Sequence, residues 1–440
     1  MVGACAQVRP LQMDEVFQLV GTDTPRLSSV FVWLHWNPAS VPAGYALQWA
    51  LVRVAGASNF ISRLPSLVAW VLAMSVIVQI GVRVRLRRVE TLLVLTAATP
   101  MLFRYAIEGR PYMPAFCLTA FATLLMVGFI ERPDEKPDWR RVSLYGTALG
   151  IAPMFQGTAV MVTLAHGVFV LTDRSMRRNR RRQAALTAAI AMSLVLPVAW
   201  SLMMRHYWAE SIVRGGYSFA LTARTAYGFL KDISGGGLVC TGLLLLGAGV
   251  AFTRSKIPGP VKYLLGLTIG ITVFGAVASD AVAGYFVSAR QTIYCLAGLI
   301  VLAAGGWEWV RNRSRAAALG ALGLFTVAAL VSDVSVVRSK EDWKAATKMV
   351  DRAIGEGFCL QPASDINAPL QVYGFFDASI EKRRCAAADR KVGLIYSTYT
   401  PVAERDEAAA TLTSRGFSSE GRQTAGGSTL ERFILRSETH

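Results

Sequence analysis

Apolar runs of about 20 residues recur through the first three quarters of the chain, each long enough to cross a hydrocarbon core of roughly 30 Å at about 1.5 Å per helical residue. In lipid every backbone N–H and C=O must find its partner inside the protein, so runs of this kind fold as helices. The 440 residues are 53% hydrophobic and only 17% charged. That balance excludes a soluble cytosolic enzyme and leaves an α-helical polytopic membrane protein. Ten spans are predicted, at 61–82, 89–105, 112–130, 142–155, 158–171, 184–204, 238–252, 263–281, 286–305 and 316–333. The fourth and fifth are short and meet at Phe155-Gln156-Gly157, so they read either as two spans or as one bent hairpin dipping through the membrane.

The chain carries 46 basic and 29 acidic residues, a net charge of +17, and the excess lies between the apolar runs. Alternate connections hold Arg83, Arg85, Arg87 and Arg88; then Arg132, Lys136, Arg140 and Arg141; then six arginines in 174–182; then Arg254, Lys256 and Lys262; then Arg311, Arg313 and Arg315. The positive-inside rule makes these connections cytoplasmic and turns both termini outward. The basic run at 177–182 has no interleaved aromatics, so it reads as a topology signal, and nucleic acid is not an expected partner.

Residues 1–60 then form an outer loop, 61–334 the transmembrane domain and 335–440 an extracytoplasmic domain. No apolar run or signal peptide precedes the first loop, so a further N-terminal helix is expected upstream, in a longer chain or from an earlier start site. The last hundred residues are nearly balanced in charge. They predict an amphipathic helix over 341–356, strands over 358–360 and 392–396, and a second helix over 405–415, making a small α/β domain. Cys359 and Cys385 both fall in it. An oxidising compartment permits them a disulfide, which spacing alone does not decide. Cys117, Cys240 and Cys295 lie in spans and read as packing residues. The chain has no CxxC, HExxH, P-loop or GxGxxG.

Ionisable groups are scarce in the spans and cluster at their outer ends, at Asp14, Glu15, His35, Arg63, Arg104, Glu108, Arg110, Asp280 and Arg290. A site at the outer membrane surface follows, open to a lipid-borne substrate. Plainer readings exist for each group. Asp14 and Glu15 are then a solvated pair, Arg104 and Glu108 an i,i+4 bridge, and Arg290 a snorkelling anchor.

Several short motifs occur in order. Met13-Asp14-Glu15, then Val41-Pro42-Ala43-Gly44-Tyr45, then Phe60-Ile61-Ser62-Arg63-Leu64-Pro65-Ser66 resemble the first outer loop of GT-C fold glycosyltransferases. The branch they most resemble holds the protein mannosyltransferases, aminoarabinose transferases and Rgt-like enzymes, which use polyprenyl-phosphate sugars. Arg104-Tyr105-Ala106-Ile107-Glu108-Gly109-Arg110-Pro111-Tyr112 is similar to its second signature. Arg290 after Tyr285 resembles its late outer arginine, and Glu341-Asp342-Trp343-Lys344 the start of its outer C-terminal domain. The chain departs from the pattern in three places. The helix before the Asp-Glu pair is missing, the proline motif is split between Asn37-Pro38 and Val41-Pro42, and Gln291 replaces the usual aromatic.

The resemblance implies an inverting transferase of the bacterial inner (plasma) membrane. It would move a sugar from a polyprenyl phosphate to an envelope lipid, glycan or protein acceptor on the extracytoplasmic face. Asp14 is implied as general base, with Glu15 as helper or, if a divalent cation such as Mg or Mn is used, as a metal ligand beside Asp14. Arg63, Glu108, Arg110, Tyr112 and Arg290 are implied to bind substrate and its phosphate. A transporter or flippase is the other active reading, although the spans show little midplane polarity. A non-catalytic scaffold is the third.

Overall fold

A computed structural model describes residues 2–9, 11–36, 40–132, 135–208, 223–283, 288–337, 342–363, 377, 380–397 and 400–436. The motif residues Asn37, Pro38, Tyr285 and Glu341 lie outside the described residues. The chain forms two compact units, one of Met1–Gln7 with Gly21–Val337 and one of Val8–Val20 with Arg338–His440.

The helices in order are α1 (Val2–Val8), α2 (Met13–Thr22), α3 (Leu27–Trp36), α4 (Pro42–Ala55), α5 (Asn59–Arg83), α6 (Val89–Ala98), α7 (Pro100–Ala106), α8 (Tyr112–Glu131), α9 (Trp139–Phe155), α10 (Val160–Thr172), α11 (Arg174–Arg178), α12 (Arg180–Ser193), α13 (Val195–Trp208), α14 (Ala223–Asp232), α15 (Gly237–Arg254), α16 (Gly259–Ala283), α17 (Cys295–Arg311), α18 (Arg315–Val337), α19 (Trp343–Gly355) and α20 (Val402–Ser414). The predicted spans fall on these helices or on consecutive pairs of them, the span from 286 beginning outside the described residues and reaching α17 through a 3-10 turn. Among the described residues, six helical stretches are long and apolar enough to cross a membrane: α5, α8, α12 running into α13, α15, α16 and α18.

The other four are shortened by identifiable breaks. Pro100, which has no N–H to give the ladder, separates α6 from α7. A 3-10 turn at Gly157–Ala159 leads into α10, and another at Ala289–Thr292 precedes α17. The span from 142 and the span from 158 are distinct helices, α9 and α10, joined through Gln156.

The first unit is ordered by burial. α17 is enclosed along most of its length, and α8 is nearly so. α5, α12, α13, α16 and α18 instead turn Val71, Leu72, Met192, Leu202, Phe274 and Val331 outward, where lipid replaces water as solvent. The tightest crossing joins α15 to α17. A Cβ on Gly306 would overlap the carbonyl oxygen of Gly247, and one on Gly247 would lie 3.0 Å from the Ala303 Cα. Small residues admit this backbone approach, and lipid supplies no hydrophobic force to replace it.

One polar group is buried within this unit where the sequence suggested clean spans. His166 on α10 is fully buried. Its Nδ1 lies 3.1 Å from the Tyr145 hydroxyl of α9, and its Nε2 3.4 Å from Thr123 Oγ1 of α8. Both ring nitrogens are thereby satisfied, which makes this a structural link among three helices.

The five basic connections gather at one end of this unit. Arg83 pairs with Glu131 at 3.1 Å. Arg182 Nη1 donates to the Phe129 carbonyl at 2.9 Å, and Asn179 Nδ2 to the Glu135 carbonyl at 3.4 Å. The Arg87 N–H donates to Glu308 Oε2 at 2.9 Å, and residues of 84–87, 254–257 and 305–313 line one cavity. α5 and α8 both start at the opposite end.

In the second unit the strands are β1 (Cys359–Pro362), β2 (Lys391–Ser397), β3 (Phe417–Ala425) and β4 (Ser428–Leu435), in the order β1-β2-β4-β3. β1 runs parallel to β2 and the other two pairings are antiparallel, with a bulge in β3 at Ser419/Gly421. Val392, Leu394, Tyr396, Leu412, Phe417 and Phe433 make its core. Sequence reading placed β1 and β2 and missed the β3–β4 hairpin. β3 is a polar edge strand whose exposed middle lacks alternation, and its turn is Gly426-Gly427, both at positive φ.

A disulfide joins Cys359 in β1 to Cys385, 26 residues on. Closing a loop of that length restricts the unfolded chain, so Cys385→Ser should lower the stability of this domain by about 2–4 kcal/mol. Limited proteolysis of the full-length protein should read this as faster cleavage C-terminal to α19. Unchanged cleavage would contradict it.

Candidate active site

Local chain geometry draws one set of side chains to the end opposite the basic connections. α7 stops at Ala106, the chain turns through Ile107, Glu108, Gly109 and Arg110, and Pro111 fixes the entry to α8. Gly44 on α4 lets Pro111 approach, since a Cβ there would lie 2.8 Å from the proline ring. The turn is tied to α5 by Ser66 Oγ, which donates to the Arg110 carbonyl at 2.9 Å.

One helical turn before Ser66, Arg63 is fully buried and its Nη1 donates to the Ala6 carbonyl of α1 at 2.7 Å. A guanidinium held this far from water needs such partners. Arg104 Nε stands 3.7 Å from Glu108 Oε1, with Glu108 nearly buried and Arg104 half exposed. This is the i,i+4 bridge that the spacing allowed.

Two aromatic rings line the turn. Tyr105 and Tyr112 meet with centroids 4.6 Å apart, and the Arg110 guanidinium lies 5.6 Å from the Tyr112 centroid. The charges of Glu108, Arg290 and Arg104 all act on the Tyr105 hydroxyl, which places Arg290, on the 3-10 turn before α17, in the same neighbourhood. The first unit thus brings Arg63, Glu108, Arg110, Tyr112 and Arg290 to one end, across a sequence separation of more than two hundred residues. Tyr105 belongs with them. Sequence reading left it without a role, because burial of one motif residue against another has no signature in spacing.

Asp14 and Glu15 belong to the second compact unit. They occupy the first turn of α2, where negative charge complements the helix dipole. Asp14 is exposed and Glu15 is buried. Glu15 Oε2 accepts the Gln12 N–H at 2.9 Å, the backward half of a capping box. One oxygen of Glu15 therefore serves the helix, and a cation such as Mg, which binds through one or two carboxylates, would complete its shell with water and substrate phosphate. Among the described residues, the one group of three potential ligands close enough to share an ion is Cys359, Cys385 and Asp389, and the disulfide leaves it no thiolate.

Residues 38–200, which carry Arg63 and the whole of the turn from Arg104 to Tyr112, match the family model described as dolichyl-phosphate-mannose-protein mannosyltransferase. Crystal structures of ArnT from Cupriavidus metallidurans, in the apo state and bound to undecaprenyl phosphate, share the fold over 98% of this chain and 95% of theirs. Their TM-scores are both 0.63, at 11% and 12% identity. The chain has the GT-C fold. The oligosaccharyltransferase of Archaeoglobus fulgidus, in complex with Zn and sulfate, is similar over 97% of this chain and 70% of its own, with TM-score 0.53 and 13% identity. No curated protein matches the sequence. This fold leaves the chain with its arginines, Glu108 and paired tyrosines at one end of the membrane unit and its basic connections at the other.

Proposed function

We propose that this protein is a membrane glycosyltransferase that moves a sugar from a polyprenyl-phosphate donor to an envelope lipid, glycan or protein acceptor on the extracytoplasmic face, in a single inverting displacement. The observation that carries the proposal is the convergence of Arg110, Arg290, Tyr105 and Tyr112 at the end of the membrane unit that lacks the basic connections. Positive-inside orientation turns that end outward. The disulfide supports the same assignment for the C-terminal domain, since such bonds persist in oxidising compartments.

The chemistry asks for two things. An acceptor hydroxyl must lose its proton as it attacks the anomeric carbon, and the bond from that carbon to the phosphate oxygen must break. The Asp14 carboxylate takes the proton. The departing polyprenyl phosphate gains negative charge, which guanidinium groups already in place stabilise. Arg110 and Arg290 fill that role, and the buried Tyr105–Tyr112 pair packs under the turn that carries Arg110. Arg63 is a positioning residue, since its guanidinium is bound to α1 and holds the start of α5 beside the turn. A divalent cation, if the reaction uses one, would need oxygens beyond Asp14 and Glu15.

Arg290→Ala should raise KM for the polyprenyl donor or lower kcat/KM by roughly tenfold to a hundredfold, the effect of one hydrogen bond to a charged group. Arg290→Lys should recover part of it. Steady-state transfer with purified protein and a polyprenyl-phosphate sugar checks this, and an unaltered kcat/KM in Arg290→Ala would remove Arg290 from the site.

A further inference from the structure

A second site lies at the far end of the same helices. The cavity there has a volume of about 330 Å³ and is built by three connections, α5 to α6, α15 to α16 and α17 to α18. Arg85, Arg87, Arg254, Lys256 and Arg313 line it, with Glu308 the one acidic residue on its wall. Five cations against one carboxylate leave the wall with a net positive charge, and the Glu308 carboxylate is held by the Arg87 N–H.

Several details show that the cavity is built. Arg85 holds φ at 62°, a region that side chains other than glycine seldom occupy, while the Leu86 N–H closes the turn onto the Gly81 carbonyl at 2.9 Å. The Arg313 guanidinium stacks 3.7 Å from the Trp309 centroid, which orients it beside the cavity mouth. Gly305 forms part of the floor, where a Cβ would come within 2.7 Å of Ile257. Val82 and Phe252, a few residues from the rim toward the membrane, are exposed apolar side chains. A basic, aromatic-edged cavity above an apolar, lipid-facing surface matches an amphiphile with an anionic head.

We propose that this cavity binds the phosphate-bearing headgroup of an anionic phospholipid from the leaflet at the basic end of the protein. The inference stands apart from the transferase reading, because none of its residues belongs to the candidate active site. It has a structural consequence for that site. α5 and α17 run from this cavity toward the other end, where they or their lead-in turn carry Arg63 and Arg290. A bound headgroup ties their connections together.

The test uses full-length protein in detergent, titrated with phosphatidylglycerol, phosphatidylcholine or inorganic phosphate, and read by native mass spectrometry and thermal unfolding. Retained phosphatidylglycerol and a raised Tm are expected, with neither effect from phosphatidylcholine. Arg254→Ala/Lys256→Ala should weaken phosphatidylglycerol binding about tenfold or more, at roughly 1 kcal/mol for each cation near an anionic lipid. Arg85→Gly removes a cation while relieving the backbone at φ 62°, so it should fold and still bind more weakly. Wild-type affinity in both variants would overturn the site. An equal Tm rise with inorganic phosphate alone would overturn the lipid as its ligand.

Discussion

Asp14→Asn should reduce transfer by about 10²–10⁴-fold, the range that a positioned general base contributes, while leaving donor binding intact. Because Asp14 is exposed and acts on α2 through its place in the first turn, the change should alter folding stability by no more than about 1 kcal/mol. Loss of turnover with little change in Tm and unchanged donor affinity therefore identifies chemistry. Glu15→Gln separates the two acidic residues. Glutamine at this helical position can still reach back to the Gln12 N–H, so the variant should fold normally. Should it also turn over normally, Glu15 serves α2 alone. Single-turnover assays with radiolabelled donor measure both variants, and full activity in Asp14→Asn would exclude it as the base.

Gly306→Ala is expected to have the largest effect on stability. The added methyl would overlap the Gly247 carbonyl where α15 and α17 cross, and neither backbone can yield without separating two helices in the centre of the membrane unit. Overpacking of this kind costs roughly 3 kcal/mol or more. α17 leads directly from the turn that carries Arg290, so activity should fall with stability. Gly320→Ala is the matched control, because a Cβ at Gly320 meets nothing within 4 Å. Thermal unfolding monitored by size-exclusion should show a large fall in Tm for Gly306→Ala and little change for Gly320→Ala. Equal behaviour of the two would contradict the packing described for α15 and α17.

The membrane domain was legible in the sequence because hydrophobic length is a local property. Among the described residues the predicted spans lie on helix, and the differences arise where Pro100, the Gly157 turn or the Ala289–Thr292 turn interrupts a run. Hydropathy averages over such breaks, so it reports ten runs where six stretches among the described residues have full spanning length. The basic connections were legible for the same reason, and the structure gathers them at one end. The close approach of Gly247 to Gly306 was not legible. Gly266 and Gly270 have the four-residue spacing of a small-residue pair, yet a Cβ at Gly270 meets nothing within 4 Å. Which glycine faces a neighbour depends on helix rotation, and composition does not carry that.

The site was partly legible. Arg63, Glu108, Arg110, Tyr112 and Arg290 were selected by motif order, and their convergence became visible only with the fold. Tyr105 and the Ala6 carbonyl that holds Arg63 escaped notice because both act through tertiary contact. His166 escaped for a different reason. Its partners Tyr145 and Thr123 sit on other helices, so its satisfied state has no sequence signal. In the C-terminal domain the polar edge strand β3 lacked the apolar run that marked β2, and its hairpin with β4 was missed with it.

The central claim is transfer from a polyprenyl-phosphate donor, and mass spectrometry of the lipid-linked sugars and envelope glycans of cells lacking this protein tests it most directly. One envelope sugar should disappear while its polyprenyl-phosphate form accumulates, and the wild-type chain should restore it where Asp14→Asn does not. An unchanged envelope glycan profile with no accumulated donor would contradict the account.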